Sequence, residues 1–571
     1  MTSAFVAIDY VLFAAFLCIS LGVGAFYAIQ AKRNQARIKA NPNKSETEEF
    51  LMGGRKMPVL PMALSLLTTF QSGLTMLGTP AEIYERGAIY WVNYQMGTLA
   101  LVASGLIFLP ILYRLKTTSM FEYFELRFGS RLLRRTASAI FIANTLFYMA
   151  VVLYAPSVAL SGVTDIAVWP FILVIGLVAT CYTTIGGLKA VVWTDTLQAV
   201  FMYGGVGTLI VKGIHDAGGW DRVWQVASEG GRLSSLKNTD LNPAQYSSIW
   251  IATFGGFSFW MSLFGLNQMA IQRYCALPSL KHAYMVMAIT IPAFVILTSL
   301  ACFIGLIMLA YFWNCNPLDT GEIETQDQLV IFFATKVLKV VPGLPGLFLA
   351  CLSSSTLSTL SAGLNSMSAI IWEDFLKQRY GDKWSDSKAT LVNKGLVLFF
   401  GLCTTALAFA AGPMGGIIKS SVNMMGALAG PLIGIFCLGV FFPSTNSKSA
   451  LISFYVSTVL ILWICMGNFF ANPYKTYALG TNSTCANANH TKLPPSFDPH
   501  YGNPDSFVLY RISSFLYPLI GVLITLIIAL PLNFVYKSKF VPTAADRKRT
   551  FSLTLFGRGI DRDKNEEHEK Y

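Results

Sequence analysis

A dense run of hydroxyl side chains is the first feature of the chain that could do chemistry. Seven of the nine residues in Ser353–Ser361 are serine or threonine. Ser355, Ser358 and Thr359 share one face of a helix, because positions i, i+3 and i+4 lie together. Two hydroxyls and a backbone carbonyl are ligands that a hard cation prefers. The run therefore predicts a cation site, although a small-residue stripe that packs helices closely is the alternative.

A second polar segment, Leu64–Pro80, lies inside an otherwise apolar stretch. Its residues Gly73, Gly78 and Pro80 disfavour an unbroken helix. A break at membrane depth would free backbone carbonyls for Na⁺ and present a helix N-terminus to an anion. The alternative is a kinked helix that packs through its small residues.

Two charged residues interrupt apolar segments. Lys419 separates the charge-free windows 395–418 and 420–447. It either reaches the membrane interface along its apolar stem or attracts an anion at the mouth of a cavity. Asp195 is predicted near the cytosolic end of a span, as an interfacial residue or as a cation contact on release.

The elements that must hold these residues are membrane spans. The 571 residues are 54% apolar and only 13% charged, against about 25% charged residues in soluble domains. This composition argues against an ordinary cytosolic enzyme, a disordered chain or a fibre. A helix crosses the bilayer with roughly 20 apolar residues, and continuously apolar windows favour helices over a barrel. The charge-free windows of sufficient length are 10–31, 57–81, 87–113, 136–164, 166–188, 241–272, 282–318, 340–372, 395–418, 420–447, 449–474 and 512–536.

A thirteenth span fits 190–211, interrupted only by Asp195, so the prediction is an all-α protein with about 13 transmembrane helices. The basic loops 32–56 and 114–135 and the basic C-terminal tail place the N-terminus outside and the tail in the cytosol. The glycosylation sequons at Asn482 and Asn489 fall in a loop that this topology places outside.

The cysteines and the remaining motifs narrow the function classes. Cys315 and Cys485 both lie in predicted outer loops, where an oxidising compartment permits a disulfide between them. The net charge of +12 comes from basic residues between apolar runs, so it indicates topology rather than nucleic-acid binding. No zinc spacing, phosphate loop, nucleophile elbow or dinucleotide fingerprint occurs, and we expect no enzyme activity.

Four motifs together resemble the sodium:solute symporter family over roughly 1–540. They are Tyr182-Thr183-x-x-Gly186-Gly187-Leu188-Lys189-Ala190 with Trp193-Thr194-Asp195, Asn267-Gln268-x-x-x-Gln272-Arg273, Gly343–Phe348, and Leu357-Ser358-Thr359 with Asn365. Tyr154–Pro156 and Leu77–Pro80 resemble the branch of monocarboxylate, multivitamin and iodide symporters rather than the sugar carriers.

The resemblance implies a fold similar to that of bacterial leucine transporters. Residues 1–540 would form one transporter domain, with inverted repeats of five helices at about 57–211 and 241–440, flanked by extra helices. Residues 541–571 would form a basic cytoplasmic tail.

The resemblance also implies site residues. A sodium ion would be held by the carbonyls of Thr68, Gln71 and Ser355 and the hydroxyls of Ser358 and Thr359. Ser72, Tyr148 and Ser421 would serve a second sodium, and Asp195 would contact sodium on exit. The substrate residues would be Thr75, Thr79, Asn93, Tyr94, Tyr148, Trp260 and Lys419.

The expected function is sodium-driven import of a small organic anion, a monocarboxylate or a carboxylate vitamin, across the plasma membrane by alternating access. Thr75 disfavours iodide, because iodide carriers have glutamine there. Lys419 departs from the branch, which has glutamine, and favours a carboxylate or replaces the charge of one sodium. The alternatives are symport of a neutral solute or of iodide, or a sodium-gated sensor. No organic cofactor is expected, and the oligomeric state stays open.

Overall fold

The structure is a computed structural model that describes residues 6–39, 45–162, 164, 166–323, 328–411, 417–471 and 506–536. Within these ranges, the side chains of residues 28, 31–32, 34–39, 411 and 417–422 lie outside the description. The α-helices of the described residues are α1 (Ala7–Lys39), α2 (Glu46–Met52), α3 (Val59–Phe70), α4 (Gly73–Arg86), α5 (Ile89–Ile107), α6 (Leu109–Leu115), α7 (Glu122–Phe128), α8 (Arg131–Ser161), α9 (Val168–Asp216), α10 (Trp220–Glu229), α11 (Ile249–Phe264), α12 (Gln268–Cys275), α13 (Leu280–Tyr311), α14 (Leu329–Leu338), α15 (Leu344–Ile370), α16 (Lys377–Tyr380), α17 (Asp386–Ala411), α18 (Ile417–Phe441), α19 (Ser447–Ala471) and α20 (Tyr517–Val535).

The helices are long and apolar enough to make this a multi-pass membrane protein. In the described part of the chain, nine helices are long and apolar enough to cross a bilayer. The number of spans rises to at most 12 if each of three bent helix pairs counts as one span. The bent pairs are α3 with α4, α5 with α6, and α11 with α12, at angles of 58°, 48° and 50°. Ser130, Ser248 and Ser279 cap α8, α11 and α13 by accepting a backbone N–H, a favourable way to begin a helix.

The helix α9 corresponds to the two predicted spans 166–188 and 190–211, and its backbone leaves helical geometry near their boundary, at Gly187. It runs for 49 residues and would be about 74 Å long if straight, against a hydrocarbon core of about 30 Å. Its residue Gly187 has φ +59° and ψ −157°, and a Cβ there would lie 2.6 Å from the Phe50 carbonyl oxygen. The Tyr182 side chain also interacts with Thr194, although a straight helix would separate them by about 18 Å. The chain therefore folds back at Gly187.

The centre of the bundle is α15, which carries the hydroxyl run. All of its 27 residues except Leu344 and Leu347 are buried, and it packs against α1, α3, α8, α9 and α17. Its serine and threonine side chains therefore face protein instead of lipid. Among the hydroxyls of Ser353–Ser361, those of Ser353 and Ser354 are buried without a hydrogen-bond partner in the described part of the chain.

Candidate functional site

The break between α3 and α4 forms one wall of the candidate site. The helix α3 ends at Phe70, Gln71 has non-helical dihedrals of −104° and 75°, and the Ser72 hydroxyl accepts the Thr75 N–H at 3.3 Å. The sequence predicted a break here, but of its three breaker residues only Gly73 is at the break. Gly78 and Pro80 lie within α4.

The predicted cation-binding hydroxyls contact this break. Ser358 Oγ donates to Thr68 Oγ1 at 2.9 Å. Thr359 Oγ1 lies 3.0 Å from the carbonyl oxygens of both Thr69 and Ser355. These oxygens are shielded from lipid and bulk water, because all five side chains are fully buried: Thr68, Thr69, Ser355, Ser358 and Thr359.

Gln71 adds a further feature to this group. Its side chain is fully buried, and neither its amide oxygen nor its amide nitrogen has a hydrogen-bond partner among the described residues. Buried polar groups normally have partners, so an unsatisfied amide oxygen on the residue that follows α3 is consistent with a bound cation at the helix break. Hydroxyl and carbonyl oxygens are the ligands that hard cations prefer, and Na⁺ is such a cation.

The sequence missed Thr69, whose carbonyl faces Thr359. The only available signal was its position in the last turn of a broken helix, where carbonyls lose their intrahelical partners.

The predicted substrate residues divide into two groups along α4. In the first, Thr79 Oγ1 lies 2.6 Å from Tyr94 OH, and the Tyr94 ring centroid lies 5.3 Å from that of Trp260. The indole Nε1–H of Trp260 is buried and has no acceptor among the described residues. Phe294, which the sequence did not indicate, meets Trp260 edge to face at 4.9 Å.

The second group surrounds the helix break itself. Ser72 Oγ lies 3.3 Å from Thr75 Oγ1 and 3.4 Å from Tyr148 OH.

Asn93 is buried at the contact between α5 and α11. The contact is close enough that a Cβ on Gly256 of α11 would lie 2.7 Å from the Asn93 carbonyl oxygen. The structure thus brings Thr75, Thr79, Tyr94, Tyr148 and Trp260 to α4 and its neighbours, and it places Asn93 in a helix contact.

Lys419 and Ser421 belong to α18, but their side chains lie outside the described part of the structure. Their predicted roles toward substrate and second sodium stay predictions.

Asp195 lies inside the helix bundle, and its predicted place near the cytosolic end of a span stays a prediction. Its side chain is fully buried and pairs with Arg273, whose Nη2 lies 3.2 Å from Oδ2. The Ser65 hydroxyl also donates to Oδ2. The charge-free windows place Asp195 near the end of a span. They contain no information on which distant residue packs against it, so the contact with Arg273 was not predicted.

The predicted covalent features fall mostly outside the description. Cys315 is disulfide-bonded, whereas its predicted partner Cys485 lies outside the described residues. The sequons at Asn482 and Asn489 lie outside them as well. The pairing and the glycosylation stay predictions.

Comparisons with known proteins agree on one family. The sodium:solute symporter family matches residues 50–457. The chain is 38% identical over 519 residues to sodium-coupled monocarboxylate transporter 2 of Homo sapiens, covering 90% of this chain and 82% of that protein. It is 37% identical to the sodium-dependent multivitamin transporter of Oryctolagus cuniculus, covering 82% of this chain and 71% of that protein.

A solved structure shows a similar fold. It is the substrate-bound outward-open state of a Na⁺-coupled sialic acid symporter, with a TM-score of 0.76 and 20% sequence identity. The match covers 93% of this chain and 98% of that chain.

Proposed function

The chain belongs to the sodium:solute symporter family, and from this premise we propose that it imports a small organic anion together with Na⁺. Sodium-coupled solute symport is the activity of the family, so the proposal concerns the substrate and the residues. The substrate class is a monocarboxylate or a carboxylate vitamin. The names of the relatives, which are monocarboxylate and multivitamin transporters, support this class.

The observation that carries the proposal is the unpaired indole N–H of Trp260. An indole nitrogen can only donate a hydrogen bond, so whatever satisfies it must supply an acceptor. A carboxylate supplies acceptors only, and the hydroxyls of Thr79 and Tyr94 are close enough to each other to serve one ligand group. Rings of Tyr94 and Phe294 around Trp260 would enclose the apolar part of a small acid.

We assign the coupling ion to the oxygens at the helix break. The proposed sodium ligands are the carbonyls of Thr68, Gln71 and Ser355 and the hydroxyls of Ser358 and Thr359. A second sodium is proposed at Ser72, Tyr148 and Ser421, and Asp195 is proposed as the contact on exit. The burial of this group and the unsatisfied amide of Gln71 support the first site.

We also propose thirteen spans and two inverted five-helix repeats, at about 57–211 and 241–440. The fold-back at Gly187 supports two spans within α9, which would raise the described maximum of 12 by one. The first helix of each proposed repeat, α3 with α4 and α11 with α12, is bent, by 58° and 50°. Discontinuous helices at corresponding positions are the expected sign of such repeats.

The proposed topology has an external N-terminus, a cytoplasmic tail and a plasma-membrane location. It predicts sugars on Asn482 and Asn489 of the expressed protein. Glycosidase treatment should lower the apparent mass of the wild type and leave an N482Q/N489Q variant unchanged.

Transport by purified protein in liposomes tests the function. An inward Na⁺ gradient should drive accumulation of labelled lactate, nicotinate, biotin or pantothenate, and choline in place of Na⁺ should abolish it. Iodide, glucose and inositol belong in the same panel. Accumulation of only a neutral solute would keep sodium coupling and overturn the anion assignment, whereas accumulation of no solute by folded protein would favour a sensor.

A further inference from the structure

Arg273 places a charge inside the bundle that the proposed sodium and substrate sites do not use. Its side chain is 1% exposed and its Nη2 lies 3.2 Å from Oδ2 of Asp195. Its Nε–H donates to the Ser65 hydroxyl at 2.9 Å, and that hydroxyl donates to the same carboxylate oxygen. One guanidinium therefore joins α12, α3 and α9 at a single buried carboxylate.

The two oxygens of this carboxylate have different surroundings. Oδ2 receives the donors from Arg273 and Ser65, whereas Oδ1 is buried and has no hydrogen-bond partner among the described residues. An unsatisfied buried carboxylate oxygen is costly, so Oδ1 offers a place to a cation. Ser65 connects this carboxylate to the proposed sodium site, because the Thr68 hydroxyl lies 3.3 Å from the Ser65 carbonyl oxygen and accepts the Ser358 hydroxyl at 2.9 Å.

Arg273 lies on a helix that has further hydrogen bonds to α2 and to Arg55. All eight residues of α12 are buried. The neighbouring residue Gln272 donates through Nε2 to the Leu51 carbonyl oxygen at 2.7 Å. Arg55 Nη1 donates to the Cys275 carbonyl oxygen at 3.2 Å. In the proposed topology this is the cytosolic half of a bent span, and these bonds hold it closed.

We propose that Arg273 is a positioning residue that competes with Na⁺ for Asp195. The proposal rests on the sodium coupling of the proposed function. While the guanidinium occupies the carboxylate, α12 stays bonded to α3 and α9. Na⁺ leaving the hydroxyls of Ser358 and Thr359 takes the place of the guanidinium on Asp195. One cation replaces another, so the buried carboxylate stays neutralised. The freed guanidinium keeps its bond to the Met269 carbonyl oxygen on its own helix, and because an unpaired buried charge is costly, α12 separates from the other two helices and brings that charge to water.

The competition predicts that one substitution tightens Na⁺ binding and slows transport. In Arg273→Gln, Na⁺ has no rival for Asp195, so the Na⁺ concentration for half-maximal binding should fall about fivefold or more, within the usual range of coupling between sites. The rate of uptake should fall as well, because Na⁺ leaves more slowly. Binding is measured with ²²Na⁺ on purified full-length protein without organic substrate, and uptake in liposomes.

A second buried ion pair provides a matched control. Arg134 Nη2 lies 2.6 Å from Oδ1 of Asp374, and both side chains are buried. Arg134→Gln removes an arginine from a buried carboxylate that lies beyond the C-terminal end of α15, away from Ser358, and it should lower stability without tightening Na⁺ binding. Equal shifts in the two variants would reduce the Arg273 effect to general loosening and overturn the proposal.

A double-mutant comparison keeps the test decisive if Arg273→Gln alone does not fold. Asp195→Asn leaves an unpaired guanidinium near the sodium site and should weaken Na⁺ binding. Adding Arg273→Gln removes that charge and should recover about fivefold of the loss. No recovery, or an unshifted folded Arg273→Gln, overturns this inference alone. Absence of saturable ²²Na⁺ binding to the wild type would instead overturn the sodium step of the proposed function, and the inference with it.

Discussion

At the scale of single residues, the hydroxyls of Ser358 and Thr359 are the sharpest test of the sodium site. Ser358→Ala with Thr359→Ala removes two of the five proposed ligand groups, and oxygen ligand number sets cation affinity. The Na⁺ concentration for half-maximal uptake should rise on the order of tenfold, which corresponds to about 1.4 kcal/mol. It is measured from uptake at graded Na⁺ in liposomes.

Ser368 supplies the control, because it lies on the same helix and its hydroxyl bonds to Asn393 instead of the helix break. Ser368→Ala should leave the Na⁺ dependence unchanged. If the double variant also keeps its Na⁺ dependence, Ser358 and Thr359 are not sodium ligands.

Trp260 tests the substrate side of the site. Trp260→Phe keeps an aromatic ring and deletes the donor, and a hydrogen bond to a charged group contributes about 1.5–3 kcal/mol. The substrate concentration for half-maximal uptake should rise about tenfold or more, while the Na⁺ dependence stays the same. Trp91→Phe is the control, since the Trp91 indole already donates to Ser299. A substrate affinity unchanged in Trp260→Phe would rule out the indole as a ligand.

The residues that sequence reasoning found and those it missed differ in one physical respect. Ser355, Ser358 and Thr359 are close in sequence, so helix periodicity alone places them on one face. Ser65, Asp195 and Arg273 come from three helices, and their contact depends on packing that no local pattern encodes. Arg273 was visible as part of a motif that the family shares, but its partner was not.

At the scale of helices, the close packing at Gly73 makes the break between α3 and α4 sensitive to one methyl group. A Cβ at Gly73 would lie 2.5 Å from Thr356 Oγ1 and 2.6 Å from Pro156 Cγ. Gly73→Ala should therefore push α4 away from α8 and α15, cost about 1–3 kcal/mol of stability and lower uptake.

Gly78 on the same helix is the matched control, because a Cβ there meets nothing within 4 Å. Gly78→Ala should keep or raise the thermal unfolding temperature in detergent, since alanine is favoured over glycine in a helix by up to about 1 kcal/mol. Equal unfolding temperatures for the two variants would contradict the packing seen at the break.

Helix positions followed from the sequence more readily than helix breaks. Charge-free windows located the spans because a buried charge in lipid is costly, and window 340–372 contains α15. The window 282–318 extends past the end of α13 at Tyr311, because uncharged residues also occur in outer loops. The exact break at Gln71 depends on the neighbours of Gly73 on α8 and α15, which the sequence does not reveal.

At the scale of the whole molecule, the number of sodium ions decides whether voltage drives uptake. One Na⁺ with one monoanion moves no net charge, whereas two Na⁺ move one positive charge, worth roughly 2.3 kcal/mol per 100 mV. We expect at least two Na⁺ per anion, so an inside-negative potential of 100 mV should raise the limiting accumulation about fifty-fold. A potassium gradient with valinomycin sets the potential in the liposome assay.

A variant at the second sodium site can be compared with the wild type to test this prediction. Ser72 contacts Tyr148 and Thr75 at the helix break and does not belong to the first sodium site. If Ser72 holds the second ion, Ser72→Ala should retain sodium-dependent uptake and lose most of its response to voltage. Voltage-independent uptake by the wild type would mean that only one Na⁺ moves with the anion, or that a fixed charge of the protein, with Lys419 as the candidate, replaces the other.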